Sequence, residues 1–254
     1  MKLKFSTGNA KLNKTAKVLS ELRGTKYKIA SFNLPAPKAC PGAGACKGPC
    51  YAQQGRYIYR AAIAVRENNF SLCQSLLSKS EGTLTRALEE GINSIPGKQN
   101  LILRMHDSGD FYSPEYARAW MNVAWNNPDK QFYCYTKSTD FLPEFFLANE
   151  LENFHVCCSL GGKHDTRTLL LAEANPGIIL SRIFPVWATG KRGQVTPEDK
   201  TRAHKSMLAA GYIDGNSEEG DMTLLLARER GINRIGLVYH GTKKMTPAQA
   251  RSLA

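Results

Sequence analysis

A parallel α/β barrel, partial or complete, formed as one domain over residues 1–254, is the fold this sequence predicts, and three observations predict it. Stretches rich in β-branched and aromatic residues alternate with stretches of helical periodicity along the chain. A length of 254 residues is usual for a single barrel of this kind. The residues that ordinary packing does not ask for fall just after the strand segments, where such sheets carry their sites.

Residues 25–34, TKYKIASFNL, read as a first strand, stopped by Pro35 and Pro37. A Gly/Pro-rich loop with three cysteines follows, and then residues 57–77 carry a helical pattern through Ile58, Ala61, Ala62, Val65, Phe70 and Leu76. The apolar run 99–105 is the second strand, ending in HDSGDFYSPE. Ser113 as N-cap, Pro114 at the first position and Glu115 in the first turn open a helix. Residues 130–136 are the third strand, and a helix in DFLPEFFLANELEN leads to the fourth, 154–160. A helical segment at 169–174 precedes the fifth strand, 177–184, and helical segments within 197–210 and 221–230 precede the sixth, 233–240. Residues 190–195 read as an exposed loop tip, and the acidic run 214–221 as a solvated turn.

The net charge of +12, from 34 basic and 22 acidic residues, favours anionic partners. Residues 1–30 hold eight basic residues against the single acid Glu21, so this segment is either a solvated surface or an arm for nucleic-acid phosphates. Nothing approaches a membrane span, and the start lacks the apolar stretch of a signal peptide, so the expected location is the cytoplasm. With seven cysteines and no such signal, a disulfide framework is not expected.

Cys40, Cys46 and Cys50 lie within eleven residues, spaced by five and then three, in ACPGAGACKGPCYA. Small residues between them allow the backbone to curl until three thiolates, soft ligands for iron–sulfur clusters or zinc, face one centre. Three cysteines leave a coordination position open. Cys73, Cys134, Cys157 and Cys158 read as buried small hydrophobes, each a candidate fourth ligand, although only one of the adjacent pair 157–158 can face any one side of a sheet. Zinc on three cysteines and His106 is the competing metal site, against a strand-end His106 bonded to Asp107 or Asp110. No GxxxxGK[ST], HExxH or GxSxG motif is present.

The order of these features resembles the radical S-adenosylmethionine (SAM) superfamily. That family has a strand, a three-cysteine loop, a helix and then strands ending in Gly-Gly-Glu-like, Thr-Asn-Gly and Ser-Leu-Asp-Gly turns. Here the turns read Ser108-Gly109-Asp110, Thr136-Lys137-Ser138 and Ser159-Leu160-Gly161-Gly162, and the cysteine spacing is wider than the family's three and two. The CYA at 50–52, RMHDSGDF at 104–111 and FYCYTKS at 132–138 more closely resemble the uncharacterised gene-product-88 domain of phages and related prokaryotic proteins, over about residues 30–185.

The resemblance implies a 4Fe-4S cluster on Cys40, Cys46 and Cys50, with SAM's amino and carboxylate groups on the fourth iron and a 5′-deoxyadenosyl radical as the product of its reduction. Asp110 would pair with the ligand's ammonium, and Lys137 and Arg182 with its carboxylate, while Ser108, Gly109, Thr136 and Ser159 complete the cofactor rim. Asp110 capping its own turn with Ser108, and Arg182 pairing with a core carboxylate, are the structural alternatives. Three functions follow as expectations: a radical-SAM-like enzyme, an iron–sulfur protein for electron transfer, sensing or structure, and a metal-stabilised nucleic-acid-associated protein.

Overall fold

The computed structural model describes residues 2–97, 100–187, 189, 195–215 and 221–239. Its centre is an eight-stranded sheet of β1 (Ser6–Thr7), β2 (Lys28–Phe32), β3 (Leu101–Met105), β4 (Gln131–Thr136), β5 (Phe154–Ser159), β6 (Ile179–Phe184), β7 (Ile213–Asp214) and β8 (Arg234–Val238). The spatial order is β1-β2-β3-β4-β5-β6-β8-β7, and every pairing is parallel except β1 with β2. The helices are α1 (Ala10–Arg23), α2 (Arg60–Leu77), α3 (Glu81–Asn93), α4 (Pro114–Trp125), α5 (Glu144–Leu147), α6 (Asp165–Ala174), α7 (Pro197–Ala209) and α8 (Met222–Leu225).

Alternation within the strands sorts the core into two layers. Ala30, Phe32, Leu103, Met105, Phe132, Cys134, Val156, Cys158 and Leu180 face one side, against Phe70, Leu84, Leu88, Tyr116, Trp120 and Phe146 of α2 to α5. Ile29, Ile102, Tyr133, Cys157, Ile179 and Ile235 face the other, against Leu12, Ala16 and Leu19 of α1 and against residues 222–227. We call these the outer and inner faces. From β2 to β6 successive strands step in one direction with their crossover helices on the outer face, which curves a sheet instead of reversing its winding, and β8 then inserts between β6 and β7.

Barrel closure is not seen among the described residues. The two edges are β1 and β7, each of two residues, and α1 with the α8 segment fills the inner face that a closed barrel would pack with strand side chains. Residues 2–30 are no free arm: they include β1, α1 and the start of β2, with Leu3, Leu12, Ala16 and Leu19 buried.

Two helices are shorter than their patterns suggest. In DFLPEFFLANELEN only Glu144–Leu147 is helical, because Asn149 takes a left-handed φ of 63°. Its amide bonds Leu147 O, Val156 O, Gly177 O and Val156 N, tying the chain to β5. After Met222–Leu225 the chain continues as turns; residues 222–227 are buried all round and are held by that burial instead of by an amphipathic face. The sequence reading gave no element to residues 81–93, yet α3 there is capped by Ser80 and buries Leu84, Leu88 and Ile92.

Candidate metal centre

All parallel strands end on one edge of the sheet, and the cysteine loop leaves β2 there. Its first turn is pinned by Ala39 N donating to Pro35 O (2.8 Å), Cys40 N to Pro37 O (3.0 Å) and Asp110 N to Ala39 O (2.9 Å). The loop then lies against the β5–α6 connection through one isolated bridge: Ala43 pairs with Gly162, Cys46 N donates to Gly161 O, and Lys163 N donates to Gly42 O. Glycine is required for this approach. A Cβ on Gly42 would stand 2.1 Å from Lys137 O, and one on Gly44 2.7 Å from the Gly162 carbonyl carbon.

Cys40, Cys46 and Cys50 are free and half-buried on this loop. The Cys40 thiol is pushed well above the ordinary range by burial first, then by Asp110, Cys50 and Cys46, while Lys137 opposes them. Cys46 and Cys50 thus lie within electrostatic reach of Cys40. As the chain lies, no three His, Cys, Asp or Glu side chains among the described residues stand close enough together to hold a metal ion.

Two cations flank the loop without a carboxylate partner. Arg66 on α2 is 7% exposed, and it donates to Ser108 Oγ (3.3 Å) and the Tyr57 carbonyl and lies over the Tyr57 ring. Burial lowers its proton affinity, with Tyr57, Glu67 and Cys50 acting the other way. Among the described residues it makes no ion pair, and its Nε is buried without a hydrogen bond. Lys137 Nζ donates to Ser159 O, Ser159 Oγ (2.6 Å) and Leu160 O, all neutral acceptors. Lys137 is half-buried and its charge also acts on Asp110, whereas Arg66 is a buried cation left uncompensated, which is costly, so this edge is electrostatically prepared for negative charge.

The structure brings Asp110, Thr136, Lys137 and Ser159 together beside Cys40, but their polar atoms serve the scaffold. The Asp110 carboxylate accepts from Thr136 Oγ1 (2.7 Å), Phe111 N (2.8 Å) and Lys137 N (2.8 Å), so it fastens the end of β4 instead of capping a turn with Ser108. Burial raises its pKa and those three bonds oppose the rise. Ser108 Oγ donates to Leu34 O, and Gly109, at φ +88°, packs onto Leu34. Arg182 stands apart: it shares the outward register of Leu180, on the face covered by α7.

No other candidate ligand joins the loop. Cys73, Cys134 and Cys158 are fully buried in the outer core and Cys157 in the inner one, so the adjacent pair does split between faces. His106 lies in the outer aromatic cluster, its Nε2 bonded to Tyr116 Oη at 2.9 Å and not to Asp107 or Asp110, and burial lowers its pKa to about 3.

Sequence reasoning missed the polar network under the loop. Tyr51, next to Cys50, donates from its hydroxyl to Asp107 O (2.6 Å), and Tyr57 donates to Asp107 Oδ2 (2.6 Å). Arg104 pairs with Asp107 (3.1 Å) and Asp221 (2.9 Å) between the rings of Tyr133 and Tyr135. Tyr133 and Lys11 complete the shell of Asp221, which is buried and not part of a solvated turn. Burial alone would raise the Asp221 pKa; Arg104, Lys11 and Tyr133 lower it. Arg104 was legible as a charge inside an apolar strand, and Arg66 as one on the Asn69–Phe70–Cys73 face of a helix. A cleft of about 790 Å³ lies at the opposite edge, between α1, the start of β2 and Ile95–Pro96, far from these groups.

A one-side-wound parallel α/β sheet bearing a three-cysteine loop at its carboxyl edge is the class that fold and site define. The chain belongs to the Gene product 88 family, whose sequence model it matches over residues 1–241. It is 33% identical over 112 residues to the Gene 88 protein of Mycobacterium phage L5, and 30% identical over 112 residues to that of Mycobacterium phage D29. Each match covers 42% of this chain and 47% of the relative, so the chain spans about half the length of the curated relatives it matches. No solved structure matches it. No helix among the described residues is long and apolar enough to cross a membrane.

Proposed function

We propose that the protein carries a 4Fe-4S cluster on Cys40, Cys46 and Cys50 and leaves one iron open to a small ligand at the carboxyl edge. The observation that carries this reading is the placing of three half-buried thiols, Cys46 and Cys50 within electrostatic reach of Cys40, beside the half-buried Lys137 and beside Arg66, a buried cation that lacks a carboxylate. Deprotonation of the thiols supplies the missing negative charge, and the bound cluster would offer a labile iron and one-electron chemistry. Binding requires the loop to draw its sulfurs closer, with Gly42 and Gly44 keeping it seated on Lys137 and Gly162. Tyr51 and Tyr57, anchored on Asp107, hold the far side of the loop.

The one-sided winding is what a partial barrel of the radical-SAM kind would also use, and SAM is the ligand proposed for the open iron. Lys137, whose charge acts on Cys40, is the group proposed to meet a carboxylate, by exchanging its present acceptors. Arg182, on the other face, is not assigned to this ligand. The location stays a proposal, the cytoplasm.

The test is anaerobic protein given SAM and a low-potential reductant, with 5′-deoxyadenosine as the readout. Its formation by the native chain and its loss in Cys40→Ala support SAM cleavage. A cluster that remains intact without cleavage assigns the protein to electron transfer, sensing or structural use, and a preparation without iron removes the proposal.

A further inference from the structure

We propose that the rim beside the cysteine loop, formed by Lys47, Arg56, Ile58, Tyr59 and Arg60, is a docking surface for single-stranded nucleic acid. The inference goes beyond the cluster and does not depend on it. Between Leu22 and Arg66 the chain carries eight basic residues and no Asp or Glu, so the loop and the approach to α2 present charge of one sign. Lys47, Arg56 and Arg60 are exposed, and among the described residues none makes an ion pair. The nearby Lys38 is neutralised by Glu67 at 2.8 Å, and the acids under the loop, Asp107 and Asp110, are buried and bonded inward.

Ile58 and Tyr59, between the two arginines, are 57% and 63% exposed, and Ile63, one turn along, is 41% exposed. Apolar groups flanked by cations and without acids suit a strand whose phosphates meet the cations while its bases stack on the ring. The surface is fixed to the cysteine loop: Tyr57 N donates to Gln54 O, and Gln54 Nε2 donates to Cys50 O at 3.1 Å. A docked strand therefore lies at the mouth of the metal centre. This assigns the nucleic-acid contact to residues 47–63 in preference to residues 1–30, where Lys11 is engaged by Asp221, Lys17 by Glu21 and Arg23 by Glu229.

Arg60 makes the test clean. It occupies the first turn of α2, where the helix dipole favours an acid and where no side-chain cap is present, so Arg60→Glu does not weaken the helix. Binding of fluorescently labelled single-stranded DNA and RNA 20-mers to the anaerobic full-length chain is followed by anisotropy across a salt series, with a duplex as comparison. The native chain binds a single strand more tightly than the duplex, with log affinity falling linearly with log salt. Arg56→Glu with Arg60→Glu abolishes binding at moderate salt, and Tyr59→Ala weakens it about five- to hundredfold. Cys40→Ala leaves binding in place, which separates this inference from the cluster proposal. The RNA and DNA arms decide which strand is preferred. Absence of salt-dependent binding, or binding lost in Lys14→Glu with Lys17→Glu but kept in the Arg56/Arg60 variant, overturns it.

Discussion

Gly42 decides whether the three sulfurs can sit where they do, because its missing side chain lets the loop lie directly against the end of β4. Gly42→Ala puts a methyl 2.1 Å from a backbone oxygen that cannot swing aside. The expected outcome is loss of bound iron together with a lower melting temperature. Arg66 predicts the opposite sign for its two effects. Arg66→Met removes a buried cation without a carboxylate and should leave the metal-free chain as stable or more so, while lowering iron retention. Iron analysis and denaturant unfolding on the same preparation check both.

His106 makes a third residue-scale prediction. Its folded pKa of about 3 lies below the ordinary 6.5, so on acidification the unfolded chain takes up the proton first. Its contribution to stability is whole above about pH 6.5 and falls by about 1.4 kcal/mol per unit as pH drops toward 3. His106→Asn tolerates the φ of 60° and does not titrate. Between pH 7 and 5 the native chain should therefore lose about 2 kcal/mol more than the variant, read from denaturant midpoints.

At the scale of elements, α1 is the piece whose role most departs from its composition. Its lysines mark it as a solvated or nucleic-acid-binding segment, but Leu12, Ala16 and Leu19 at helical spacing bury it on the inner face. Leu12→Ala is expected to cost about 2–5 kcal/mol, measured by chemical denaturation, as for a core residue and not an arm. A cost near zero would return residues 1–30 to the surface. The parallel strands were legible because continuous apolar runs bounded by Gly, Pro and Asn have few other uses, and α4 because Ser113, Pro114 and Glu115 announce it. The early end of α5 was not, since Asn149 stops it through bonds to Val156 on the next strand and to Gly177, 28 residues away. The burial of Asp221 was hidden for the same reason: its partners Lys11, Arg104 and Tyr133 come from three separate elements.

For the whole molecule, the parallel α/β architecture followed from strand–helix alternation, but closure did not, because the sequence does not say what fills the inner face. Here α1 and residues 222–227 do so, and among the described residues the sheet is not closed between β1 and β7. The same network that holds them reaches through Arg104 and Asp107 to the tyrosines beside Cys50, so the inner face and the cysteine loop share one set of ion pairs. The central claim is that three thiols at the carboxyl edge close on an iron–sulfur cluster. Its most direct test is iron and acid-labile sulfide per chain, with the visible spectrum, on protein made and kept without air. The account predicts about four of each and a brown colour, both lost in Cys40→Ala, Cys46→Ala and Cys50→Ala. A colourless chain, or one whose only metal is zinc, would contradict it.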